Sequence, residues 1–186
     1  MTGLVEDPYA SGILDRVHHA RLVADIDRIA RQAGIPRRYI WTPLANNVSA
    51  AEQGWVRQFH QHGAAGLCGL LLVGKPDGIS HRMASITGAL LRNFVDARLV
   101  TLQDLLAQAR DGSTVNCTCL AVPNFGMTDG SKLPVWQTAG LLGVLTERFQ
   151  ANRQTVLHVP SLEKAGHEWG AAVRDHLESC FTPVLL

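Results

Sequence analysis

Apolar positions along the chain keep two rhythms. From Ile13 to Ala33 they fall at Leu14, Val17, Leu22, Val23, Ile26, Ile29 and Ala33, the spacing of a helix with a charged opposite face. Gly34 supplies a left-handed stop and Pro36 cannot continue the helix, so AGIP ends it. RRYIWTPLANNVSAAEQ reads as a connector, and AAEQGWVRQFHQHG as a short helix closing at Gly63. Strands and helices then alternate. The pattern predicts a strand over 70–73, a helix over 82–94, a strand over 97–100 and a helix over 102–109, the last opened by Thr101 with Asp104. CTCLAV (117–122) is an unbroken apolar run, as a strand buried on both faces requires. A loop with Asn124, Gly126, Asp129 and Gly130 leads to a helix over 134–151, a strand over 155–159, a helix over 162–180 opening after Ser161, and a last strand near 183–186. Such alternation predicts an α/β fold, a parallel sheet covered by helices on both faces.

Composition narrows the function classes. The chain has 186 residues, 46% hydrophobic and 18% charged, which is a globular balance and enough length for one core. A net charge of +1 provides no global field toward nucleic acid or anionic membrane. MTGLVEDPYASGILDR lacks a basic segment followed by an apolar one, and no apolar run reaches membrane-spanning length, so a cytoplasmic location without membrane association is expected. Cys68, Cys117, Cys119 and Cys180 show no secreted disulfide framework.

The segment LLLVGKPDGISHR (70–82) has the outline of a phosphate-binding loop, a strand running into Gly74 and then a helix. Against the pattern G-x-x-x-x-G-K-[ST], the second glycine position holds Ile79, the lysine position Ser80 and the hydroxyl position His81. Lys75 follows the first glycine and Gly78 precedes Ile79, while Asp77 places a negative charge where phosphates would lie. Ile79 is β-branched and resists the positive φ of an anion-binding nest. Lys75 and Arg82 are the remaining candidates to hold an anion at the following helix.

Other constellations are weaker. Cys117 and Cys119, at i and i+2 on one strand face, suggest a metal site with His158 or Cys180, but C-x-C lacks structural-zinc spacing, and buried apolar thiols are the expected reading. His18, His19, His60 and His62 read as solvated residues at helix ends. Ser80, His81 and Asp77, or Cys180 and His176, carry hydrolase residue types without a G-x-S-x-G element, so hydrolase chemistry is not expected. Arg21, Arg28, Arg31, Arg37 and Arg38 form a basic stretch that suits DNA phosphates, diluted by Asp25 and Asp27. Of Trp41, Trp55, Trp136 and Trp169, most are expected in or at the edge of the core, with an interface anchor as the alternative.

Several segments together resemble the DnaC-type helicase loaders and the related insertion-sequence ATP-binding proteins, both AAA+ ATPases. They are LVADIDRIARQAGIPRRY (22–39), GLLLVGKPDG (69–78), ARLVTLQDLLAQAR (97–110), CLAVPNFGM (119–127), LLGVLTERFQANRQTVLHVP (141–160) and WGAAVRDHLESCFTPVLL (169–186). The resemblance implies a three-layer parallel sheet of P-loop NTPase (AAA+) type over 41–186, preceded by an N-terminal helical extension and connector helix over 1–40. It also implies that the paired Walker B acids are replaced by Pro123 and Asn124 and the sensor 1 asparagine by Pro160. The arginine finger falls near His176, with Arg174 two residues away. With Gly74, Lys75, Gly78, Ser80 and His81 as a degenerate Walker A loop, the expectation is a catalytically inactive protein without nucleotide, metal or other cofactor. Its implied role is protein–protein contact in DNA replication or transposition, as adaptor or inhibitor of the replicative helicase or an active loader, or by self-assembly. A phage or another mobile element would suit such a protein. A nucleic-acid-binding module and an ATP-binding enzyme with an altered loop are the alternatives.

Overall fold

In the computed structural model the described residues are 7–112, 116–126 and 134–186, so Asp129 and Gly130 of the expected loop lie outside them. Five strands, β1 (Gly69–Val73), β2 (Ala97–Leu99), β3 (Cys119–Val122), β4 (Gln154–Val159) and β5 (Phe181–Leu185), form one sheet in the order β2-β3-β4-β1-β5. Every neighbouring pair is parallel, with Leu72 of β1 opposite His158 on one side and Val184 on the other. The layout is the expected α/β sheet and is compatible with a P-loop-type arrangement.

Alternation along the strands divides the core in two. Leu70 and Leu72 of β1, with Cys119, Ala121 and Val156, face one cluster; Leu71, Leu120, Val122, Leu157 and Val159 face the other. The first face is covered by α6 (Ile79–Arg92), through Met83, Ile86 and Leu90, and by short helices α1 (Ala20–Ala24), α2 (Ile26–Ala33), α3 (Arg38–Trp41), α4 (Ala50–Arg57) and α5 (Phe59–His62). The second is covered by α7 (Leu102–Arg110), α8 (Val135–Gln150), α9 (Leu162–Trp169) and α10 (Ala171–Cys180). Helices α3 and α6 approach so closely at Gly88 that a Cβ there would lie 2.5 Å from the Tyr39 carbonyl carbon and closer still to its oxygen. Among the described residues, no helix is long and apolar enough to cross a membrane.

Several boundaries differ from the sequence expectation, each for a local reason. The helix expected over Ile13–Ala33 is interrupted, because the Asp15 carboxylate accepts the Val17 and His18 N–H groups at 2.9 and 2.6 Å and holds a turn, leaving Val17 exposed. The chain breaks again at Asp25, between α1 and α2. Gly34, at φ 71°, does end α2 in the left-handed region. The helix expected over 162–180 divides at Gly170, whose φ of 88° and ψ of 166° are far from helical. Two of the histidines expected in solvent are buried: His19 bonds the Arg92 carbonyl through Nε2, and His62 bonds the Trp55 carbonyl and stacks on the Trp55 ring. Trp41, Trp55 and Trp169 are buried, whereas Trp136 is exposed on α8.

Candidate functional site

The carboxyl ends of parallel strands are where such sheets open a crevice, and the degenerate loop lies there. β1 hands the chain to Gly74–Gly78, and Gly78, at φ 71°, takes the positive-φ position as N-cap of α6. The Ile79 N–H donates to the Pro76 carbonyl at 3.1 Å, closing a tight turn, and the Ile79 side chain is buried. The helix therefore starts at Ile79 rather than at the expected Arg82. The demand for left-handed geometry falls on Gly78, so Ile79 is unstrained in the first helical position.

The loop is held by the protein's own groups. The Gly74 N–H donates to the Val159 carbonyl at 3.1 Å. The Gly74 carbonyl accepts from His158 Nε2 at 3.0 Å. Burial of His158 pulls its pKa below the ordinary imidazole value, opposed by that hydrogen bond, so a neutral ring with its proton on Nε2 fits the geometry. In an anion-binding nest successive N–H groups aim outward; here those of Gly74 and Ile79 are engaged internally.

Charge is cancelled in the same way. Arg82 Nη1 donates at 2.5 Å to Oε2 of Glu52, which is fully buried. The same oxygen accepts from the Ser49 N–H and the Ser49 hydroxyl, both at 2.7 Å. Arg82 is thus the counter-ion of a buried carboxylate and not a free phosphate ligand. Lys75 and Asp77, of opposite charge, are both exposed on the loop. His81 Nδ1 is hydrogen-bonded to the Tyr39 hydroxyl of α3.

Two clefts border this turn. One, of about 580 Å³, is lined by Gly74, Lys75, Asp77, Arg82 and Pro160 among others. The other, of about 340 Å³, brings Ser80 to Pro123, Asn124 and Gly126. The positions corresponding by resemblance to the Walker A lysine, the Walker B pair and sensor 1 therefore gather at the ends of β1, β3 and β4, but they present a hydroxyl, two prolines and an amide. Asn124 itself is in the left-handed region at φ 53°. Nothing in this set supplies the carboxylates that would hold Mg²⁺ or orient water.

Arg174 and His176 lie away from both clefts. Arg174 pairs along α10 with Asp175 at 2.9 Å and Glu178 at 3.8 Å, and the Asp175 hydrogen bond pushes its pKa up. His176 Nε2 lies 3.8 Å from Cys68 Sγ. Nor do Ser80, His81 and Asp77 form a triad, since His81 is turned to Tyr39 and Ser80 to the second cleft.

The suggested Cys117–Cys119–His158 site is not assembled. Cys117 precedes β3 instead of belonging to it, because its carbonyl accepts from buried Arg148 and the ladder to β4 begins at Cys119. The two thiols consequently enter opposite core clusters, and burial pushes the pKa of both upward. The basic stretch is also partly neutralised, by Arg28–Asp25 at 2.8 Å and Arg37–Asp27 at 3.1 Å.

Sequence reasoning missed Glu52, Tyr39 and the loop-holding role of His158. Ser49-x-x-Glu52 carried a readable capping-box signal, but its reach to Arg82 depends on how α4 packs on α6. In comparisons with known proteins, no family model matches the chain and no curated protein matches it.

Proposed function

We propose that the chain is a catalytically inactive, helicase-loader-like AAA+ protein that acts through protein–protein contact in DNA replication or transposition. The observation that carries this reading is the crevice. It lies where a P-loop sheet would bind nucleotide, yet its arginine is committed to Glu52, the Gly74 and Ile79 amides are bonded internally, and Ser80, Pro123, Asn124 and Pro160 stand at the positions that the resemblance gives to the lost motifs. A polyphosphate with Mg²⁺ would meet Asp77 beside Lys75 in the cleft, and Pro123 and Asn124 where the resemblance puts the metal-supporting carboxylates. The AAA+ assignment rests on the resemblance of segments 22–39 through 169–186, and the strand order is compatible with it. Retention of a complete two-sided core around a crevice without phosphate chemistry favours a role carried by surfaces.

The N-terminal helices bear on the alternatives. Arg28 and Arg37 are paired with Asp25 and Asp27, and Arg31 is laid along the helix, which weakens the case for a DNA-binding face. The test is an affinity capture without added nucleotide from lysate of the source cell or its host, read by mass spectrometry. Recovery of the replicative helicase or of an active loader supports the proposal. Their absence from the captured set, with the bait folded, contradicts it.

A further inference from the structure

At the end of the sheet opposite the crevice, three soft donors converge. Gly69 and Phe181 are the first residues of paired strands β1 and β5, so Cys68 and Cys180 immediately precede them side by side. The Cys68 N–H donates to the Cys180 carbonyl at 2.6 Å, which fixes the two backbones. His176 lies one helical turn before Cys180 on α10, and residues four apart share a helix face. The result is that Cys68 Sγ, His176 Nε2 and Cys180 Sγ all lie within 4.8 Å of one another. Cys68 is buried, whereas His176 and Cys180 are half-buried and open the cluster to solvent.

These donors match the demands of a borderline-soft divalent ion. Zinc takes thiolate sulfur at about 2.3 Å and imidazole nitrogen at about 2.0–2.1 Å, so tetrahedral geometry sets S···S near 3.8 Å and S···N near 3.5 Å. Cys68 Sγ and His176 Nε2 are 3.8 Å apart, and Cys180 Sγ, from the last position of α10, lies within 4.8 Å of its partners. Two thiolates balance the charge of M²⁺, and the imidazole adds none. Among the described residues this is the one group of three or more such donors close enough to share an ion. Cys117 and Cys119 show the contrasting case of thiols dispersed into separate apolar clusters.

We propose that Cys68, His176 and Cys180 bind one transition-metal ion of the zinc class, with a fourth coordination position open to water. The metal forms two M–S bonds and one M–N bond as both thiols release their protons to solvent. It joins the carboxyl end of α10 to the start of β1 and so pins the edge strand β5. The site is independent of the crevice, and it departs from the sequence expectation of no metal.

The test uses the full chain, reduced with a phosphine and freed of metal, titrated with Co²⁺ and followed by absorption. The expected result is a thiolate-to-cobalt charge-transfer band with intense tetrahedral d–d bands, saturating at one equivalent and abolished when Zn²⁺ displaces cobalt. His176→Ala and Cys180→Ser, at half-buried positions, should each weaken binding by about tenfold or more, since even outer-shell changes cost this much. Cys119→Ala should leave the spectrum intact. In parallel, Zn²⁺ should raise the melting temperature of the wild type by more than that of His176→Ala at the same concentration, with circular dichroism showing both folded. Absence of charge-transfer absorption in folded wild type at excess cobalt would overturn the proposal. So would full bands in Cys68→Ser or Cys180→Ser, or a wild-type melting temperature unmoved by saturating zinc.

Discussion

Replacing Arg82 by Ala should destabilise the protein far more than loss of a surface ion pair. Glu52 is 0% exposed and its Oε2 receives three hydrogen bonds, from Arg82 and twice from Ser49. Removal of Arg82 leaves a buried carboxylate with only Ser49 to solvate it. Breaking such a pair costs about 3–5 kcal/mol; because the Arg82 side chain is 28% exposed, water can enter its place, and the lower end, about 3 kcal/mol, is expected. For a domain of this size that corresponds to roughly 6–12 °C in melting temperature. Glu52→Gln should cost less, because it leaves a cation that can turn to solvent. The double variant Glu52→Gln/Arg82→Ala should cost less than the sum of its single changes. Urea unfolding followed by circular dichroism measures all three. A loss of about 1 kcal/mol or less for Arg82→Ala, the range of exposed pairs, would refute the claim that this arginine is bound to its carboxylate and withheld from anions.

Gly88→Ala should destabilise by about 1–3 kcal/mol, because the added carbon overlaps the Tyr39 carbonyl where α3 crosses α6; a variant melting with the wild type would contradict that close approach. His158 predicts an acid-side effect. Its folded pKa is depressed by burial below the ordinary imidazole value of about 6.5, so the stability it contributes is present above that pH and is lost as pH falls below it, where the unfolded chain takes up the proton. The urea midpoint of His158→Gln should therefore fall less between pH 7 and pH 5 than that of the wild type, and equal slopes would refute the buried neutral ring.

Local chemistry was legible where one short segment decided the outcome. The AGIP stop appears as Gly34 at φ 71°. Thr101 and Asp104 form their capping box, and the Ser161 hydroxyl caps α9 by accepting the Lys164 N–H at 3.0 Å. The strand rhythm also gave the α/β class, since alternate residues such as Leu70, Leu71 and Leu72 sort to opposite core clusters. What periodicity could not carry were competitions settled by a single group. Asp15 captures two backbone donors and interrupts the first helix, and Gly170 divides the last. Long-range pairings were equally hidden. Arg82 with Glu52, Tyr39 with His81, and Cys68 with His176 are each joined by packing across elements, and spacing along the chain bears no trace of them.

The claim that the crevice keeps its place but not its phosphate chemistry is tested most directly by nucleotide binding. The full chain is titrated with Mg-ATP and Mg-ADP by calorimetry, and its melting temperature is followed over the same range. A site with Kd of about 10 μM at about 1 mM ligand would add about 2.7 kcal/mol, or roughly 5–10 °C in a domain of this size. The account predicts no binding heat and no shift. A saturable rise in melting temperature that Lys75→Ala abolishes would contradict it and show the altered loop to be a working nucleotide site.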